Sequence, residues 1–152
     1  MVTIVAVLLS FVATQLKPRQ QMNIQIERKQ DVLRSVGMAQ QVGEAEDKNA
    51  YINEEFSKYI TESYVVNYQG QPVEADAFEV MLGLNAEIRK AREDRNYPVF
   101  VYSENGDNKY VVPVRGKGLW GPIWGYVALE DDLNTISGAV FDHKGETPGL
   151  GA

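Results

Sequence analysis

The chain opens on an unbroken apolar run. Residues 1–16 read MVTIVAVLLSFVATQL, carry no charge, and are interrupted only by Thr3, Ser10, Thr14 and Gln15. Apolar positions fall on all sides of a helix, with no stripe reserved for a core. At 1.5 Å rise per residue the run reaches roughly 24 Å, against roughly 30 Å for a bilayer's hydrocarbon. Lys17-Pro18-Arg19 follow at once, as at a membrane interface. The pattern predicts an N-terminal transmembrane helix over 1–16 that lacks its first turns. A signal peptide calls for a basic start and a small-residue cleavage site, and neither is clear. Orientation stays open: Lys17 and Arg19 locally favour a cytoplasmic C-terminal side, but there is no opposing flank to compare.

From Gln20 to Val36 the pattern turns amphipathic, with Met22, Ile26, Lys29, Leu33 and Val36 near helical spacing and Gly37 as a stop. This predicts a stalk helix over 17–37, although an ordinary surface helix fits the same spacing. The remainder, 38–152, reads as one domain. Val42 to Asn49 is a polar loop. Ala50 to Ile60 places Tyr51, Ile52, Phe56, Tyr59 and Ile60 at helical spacing. Tyr64 to Tyr68 is a strand closed by the turn Gln69-Gly70-Gln71-Pro72. Ala77 to Leu84 is ambiguous, and Asn85 to Asp94 reads as a helix. Strands follow at Pro98 to Ser103 and Tyr110 to Val114, then a glycine-rich loop from Arg115 to Pro122, then strands at Ile123 to Leu129 and Ile136 to Phe141. Helices first and strands after predict an α+β fold with an antiparallel sheet and flanking helices.

Composition narrows the chemistry. The 152 residues suit one domain with a real core. A net charge of −6 with no basic block argues against nucleic acid as a partner. The absence of cysteine removes disulfides, thiol nucleophiles and Cys-ligated clusters, and a single histidine, His143, makes a self-contained metal site a poor expectation.

Two segments carry candidate chemistry. Gly116 to Tyr126 sets three aromatics among four glycines and a proline. Glycine admits close backbone approach to a ligand, and tryptophan offers a flat face. Asp142 to Ala152 surrounds Thr147-Pro148 with glycines, a sequence able to turn several backbone N–H groups toward one ligand. On residue types alone, structural turns account for both segments as well, and His143 alone indicates nothing.

Taken together, Gly118-Leu119-Trp120, the strand Gly125-Tyr126-Val127-Ala128-Leu129 and the run His143-Lys144-Gly145-Glu146-Thr147-Pro148-Gly149-Leu150-Gly151 resemble the FMN-binding domain family of two respiratory complexes. These are represented by the C subunit of the sodium-translocating NADH:quinone oxidoreductase and the G subunit of the Rnf-type ferredoxin:NAD oxidoreductase. Gly121-Pro122-Ile123-Trp124-Gly125-Tyr126, Asn134-Thr135-Ile136 and the exit Lys17-Pro18-Arg19-Gln20 are similar to the sodium-pump protein.

The resemblance implies an FMN-carrying electron-transfer subunit of a complex that couples NADH oxidation and quinone reduction to Na+ export. It implies a single span in the bacterial inner membrane, a periplasmic domain, and the complex's other subunits as partners. Leu119 and Trp120 would contact the flavin ring, and Glu146, Thr147, Pro148, Gly149 and Leu150 would line its other side. No side chain would itself catalyse a reaction. Such domains hold FMN through a phosphoester to the threonine of a Ser-Gly-Ala-Thr motif. Here Ser137-Gly138-Ala139 is followed by Val140, which has no hydroxyl, and the segment precedes the Glu-Thr-Pro-Gly run instead of following it. Ser137 to Val140 is therefore read as plain strand, and the attachment threonine is expected beyond Ala152. An Rnf-type G subunit and a membrane-anchored binding domain without flavin remain as alternatives. No Gly-x-Gly-x-x-Gly follows a strand, so the sequence offers no NADH site of its own.

Overall fold

The computed structural model describes residues 2–119 and 121–143. Helix α1 spans Val2–Ser35, and after a 3-10 turn at Gln40–Glu44 helix α2 spans Lys48–Tyr59. Strands β1 (Ile60–Val66) and β2 (Pro72–Val73) follow, then the short helices α3 (Ala77–Leu82) and α4 (Leu84–Glu87). The last four strands run consecutively: β3 (Tyr97–Glu104), β4 (Asp107–Lys117), β5 (Pro122–Leu129) and β6 (Ile136–His143). All six strands form one sheet in the order β2-β1-β3-β4-β5-β6 with every neighbour antiparallel. The α+β class with an antiparallel sheet is the one the sequence predicts.

The core forms where helices cover one face of the sheet. Phe100, Val111, Ala128 and Gly138 stand in one cross-strand row. Strand side chains alternate between faces, so their neighbours two residues away share that face. Phe100, Val111 and Ala128 pack with Val32 of α1, Ala77 and Met81 of α3, Val65 and Tyr126. Phe56 of α2 meets Phe100 edge-on, with ring centroids 6.1 Å apart. A second cluster, Ile26, Leu33, Ala39, Val42 and Ile52, joins α1 to α2.

Helix α1 runs through Pro18 without ending. At 34 residues it is roughly 51 Å long. Residues 14–25 are exposed around the whole circumference, and the first buried side chain among the described ones is Ile26. The last three turns therefore belong to the packed domain, and Gln21, Ile24 and Gln25 just before them border an open cleft with Glu79 and Leu82 of α3. No helix among the described residues is long and apolar enough to cross a membrane. The helix ends where Gly37 predicts. Gly37 adopts φ +85°, its N–H donates to the Arg34 carbonyl at 3.0 Å, and the Met38 N–H donates to the Leu33 carbonyl at 2.9 Å. That pair of bonds closes a helix through a left-handed residue, which glycine adopts without strain.

Two expectations are corrected. The helix expected over Asn85 to Asp94 is a single turn at Leu84–Glu87 and a 3-10 turn at Arg92–Asp94. The Glu87 carboxylate accepts from Lys90 Nζ at 2.7 Å and from the Asn96 N–H at 3.0 Å, and the Arg95 Nε–H donates to the Lys90 carbonyl. These bonds fold the segment back on itself. The glycine-rich loop expected from Arg115 to Pro122 is mostly strand: β4 and β5 stay paired out to Lys117 and Pro122, leaving only 118–121 as the connection.

Candidate functional site

The long β4–β5 hairpin sets the site. Pairing runs unbroken out to Lys117 and Pro122, and the Gly118 N–H closes the tip by donating to the Gly121 carbonyl at 2.7 Å. Strand β6 then brings Phe141 opposite Gly125, Asp142 opposite Trp124 and His143 opposite Ile123. Because faces alternate, Val114, Gly116, Ile123, Gly125 and Phe141 look away from α1, whereas Arg115, Trp124, Tyr126 and Asp142 look toward it.

On the outer face lies an open, mostly apolar pocket of about 270 Å³ between Val114, Gly116, Ile123 and Phe141. A Cβ on Gly125 would collide with the Phe141 ring, so the missing side chain lets that ring lie down on the strand. A Cβ on Gly116 would meet open space. The result is a flat platform with aromatic and branched walls, at the end of the sheet where the glycine-rich turn begins. Phe141 is 61% exposed on this platform, a large apolar area left facing solvent.

The inner face is charged and buried. The Trp124 ring is flanked by two guanidiniums, Arg28 at 4.9 Å and Arg115 at 5.6 Å from its centroid. Arg28 Nη1 lies 3.8 Å from Asp31 Oδ2, and Arg34 Nη1 lies 3.7 Å from Asp31 Oδ1. Burial pushes the Asp31 carboxyl up to about 6 from an ordinary 3.8; Arg28 and Arg34 oppose that shift, and Glu27 and Asp142 add to it. Burial likewise raises the Tyr126 hydroxyl to about 12.

Of the residues the sequence assigns to a flavin site, Leu119 is described. It sits at the hairpin tip, two residues past Lys117 of the pocket lining, and is 89% exposed. Trp120, Glu146, Thr147, Pro148, Gly149 and Leu150 lie outside the described residues. Ser137 to Val140 lie within β6. Sequence reasoning did not single out Val114, Ile123 and Phe141 as a pocket wall. The available signal was alternation, which puts these apolar residues on the face opposite Tyr126 and Ala128.

Residues 118–152 match the FMN-binding domain family, and the match begins at the hairpin tip beside the pocket. Most of the chain is also similar to the C subunit of the Na(+)-translocating NADH-quinone reductase. The Vibrio anguillarum protein is 30% identical over 161 residues, covering 96% of this chain and 60% of the relative. The Vibrio parahaemolyticus protein is 29% identical over 167 residues, with 96% and 61% covered. The crystal structure of the same subunit from Parabacteroides distasonis superposes with a TM-score of 0.71 at 36% identity, over 89% of this chain and 61% of that one. The resemblance carried by the motifs is thus borne out. The chain spans about three fifths of the length of these relatives.

Proposed function

We propose that this chain is part of an FMN-carrying electron-transfer subunit, within a complex that couples NADH oxidation and quinone reduction to Na+ export. The observation that carries the reading is a coincidence of place. The FMN-binding family match starts at Gly118, where the hairpin leaves a flat apolar platform. The residues fit the group: a planar tricyclic ring needs a flat apolar surface and a wall to pack against, and Gly116, Gly125, Ile123 and Phe141 offer both. When bound, FMN supplies reversible uptake and release of electrons.

This chain's own residues hold and orient. Ile123 and Phe141 form a wall that excludes water from one side of the ring. Leu119 and Trp120 are assigned, from their place in the motif, as apolar or stacking contacts to the ring. Glu146, Thr147, Pro148, Gly149 and Leu150 are assigned, from the same motif, to the other side of the ring. Covalent attachment is assigned to a threonine in the part of the relatives' length that this chain does not span, since Val140 offers no hydroxyl.

The first half of α1 is assigned to a membrane anchor. Its support is the uncharged run through residue 16, together with Val5 and Phe11 turned outward. The domain is placed in the periplasm of a bacterial inner-membrane complex whose other subunits are its partners. A reporter fused after the domain, active only outside the cytoplasm, checks the orientation; activity only on the cytoplasmic side contradicts it.

The pocket assignment is tested by Gly116→Leu in the protein as its host makes it. A Cβ at Gly116 meets open space, so the strand admits a side chain there while the rest of it obstructs the platform. The expected result is a flavin with an altered absorbance spectrum and midpoint potential. An unchanged spectrum and potential remove the platform from the flavin site.

A further inference from the structure

A second cleft lies toward the other face of the sheet and shares Val114, Arg115 and Trp124 with the lining of the platform. A partly enclosed cleft of about 40 Å³ opens between α1, α3 and the β4–β5 hairpin, and Arg28, Arg115, Trp124 and Tyr126 supply its polar lining. Met81, Leu82 and Leu84 close it on the apolar side. Three buried nitrogens belong to these lining residues and have no hydrogen-bond partner: Arg28 Nη1, Arg115 Nε and Trp124 Nε1. All three are donors only. A buried donor left unpaired costs about 1–3 kcal/mol, more when charged, so three on one small cleft call for an acceptor.

We propose that this cleft binds one small monovalent anion of the halide class. The lining holds two guanidiniums and no carboxylate. Carboxylates do stand nearby: Asp31 Oδ2 lies 3.8 Å and Glu27 Oε1 4.0 Å from Arg28 Nη1, and Asp142 pairs across β6 with Trp124. Asp31 and Glu27 both face the same Arg28 Nη1, so the charge of Arg28 is partly neutralised. Among the described residues Arg115 has no ion pair, so its charge is the one the anion answers. Water is the competing occupant. Water can meet these donors but carries no charge, whereas a halide accepts from them and also answers the Arg115 guanidinium. The volume admits a monatomic ion and is too small for a nucleotide or other organic anion. Both guanidiniums are held in place by stacking on the same indole, so the site is organised before the ion arrives.

The test uses the indole itself. In the whole chain carrying Trp120→Phe, Trp124 is the sole tryptophan. Iodide is titrated at constant ionic strength with gluconate as the balancing ion, and Trp124 fluorescence is followed. The expected result is saturable quenching that chloride displaces, weakened about tenfold or more by Arg115→Gln. Quenching that rises linearly with iodide and ignores chloride overturns the proposal and assigns the cleft to water. Crystals of the unsubstituted chain soaked in bromide give a readout that needs no variant. An anomalous peak in the cleft against Arg115 and Trp124 supports the site, and its absence there overturns it.

Discussion

The Ser35 carbonyl presses against Gly138, so the last turn of α1 rests directly on the backbone of β6. A side chain at Gly138 would push into backbone, which cannot swing aside. Gly138→Ala is expected to cost about 1–3 kcal/mol by overpacking, read as a lower urea midpoint. Gly43→Ala, where an added Cβ meets nothing, is the control and is expected within about 0.5 kcal/mol of the parent. Equal midpoints for the two variants contradict the packing of α1 on β6.

That contact also shows what was legible in the sequence. Ser137-Gly138-Ala139 looks at first like the start of an attachment motif, and Val140 denies it the hydroxyl. The structure gives its glycine a local reason, the close approach of α1. Elements with strong periodicity or turn chemistry were readable: α2, β3, β5, β6 and the Gly37 stop all lie where apolar spacing and glycine place them. What failed depended on long-range partners. Arg115 to Lys117 looked like loop because glycine and charge dominate it, yet pairing with Pro122 to Trp124 makes it strand. Residues 85–94 looked helical because side-chain bonds from Glu87 and Arg95 are invisible to periodicity. The platform needed the register of three strands, which no local pattern states. The buried charges on α1 were hidden for a similar reason: Arg28 and Asp31 look like a polar face until Trp124 packs over them.

Phe100 anchors the core, almost fully buried among α1, α2 and α3 and edge-on to Phe56. Phe100→Ala is expected to destabilise the domain by about 3–5 kcal/mol. Chemical denaturation measures it. A loss below about 1 kcal/mol would mean that the helices do not cover this face of the sheet.

Asp31 makes stability depend on acidity. Its native value of about 6 lies above its ordinary 3.8, so the folded state holds the proton more tightly than the unfolded one. Stability from this group is greatest below pH 4, falls as pH rises toward 6, and is level above that. The slope is expected to amount to about 1 kcal/mol, well under the full shift, because water screens the site. Asp31→Asn removes it. Urea midpoints between pH 4 and 7 are the measurement, and an identical slope in the variant contradicts the burial of this carboxyl.

Asp47 starts α2 by accepting from the Asn49 and Ala50 N–H groups, both at 3.0 Å. Asp47→Ala is expected to cost about 1 kcal/mol, with Asp47→Asn recovering most of it. Thermal melts of the three proteins compare them directly; indistinguishable melts would discount the cap.

The central claim is that this domain carries flavin. The most direct measurement is in-gel fluorescence of the denatured protein, isolated as its own host makes it. The account predicts a fluorescent band at the protein's position that survives denaturation and coincides with flavin released on hydrolysis. A dark band, with no flavin in the native preparation either, would contradict it and leave a membrane-associated binding domain built on the same fold.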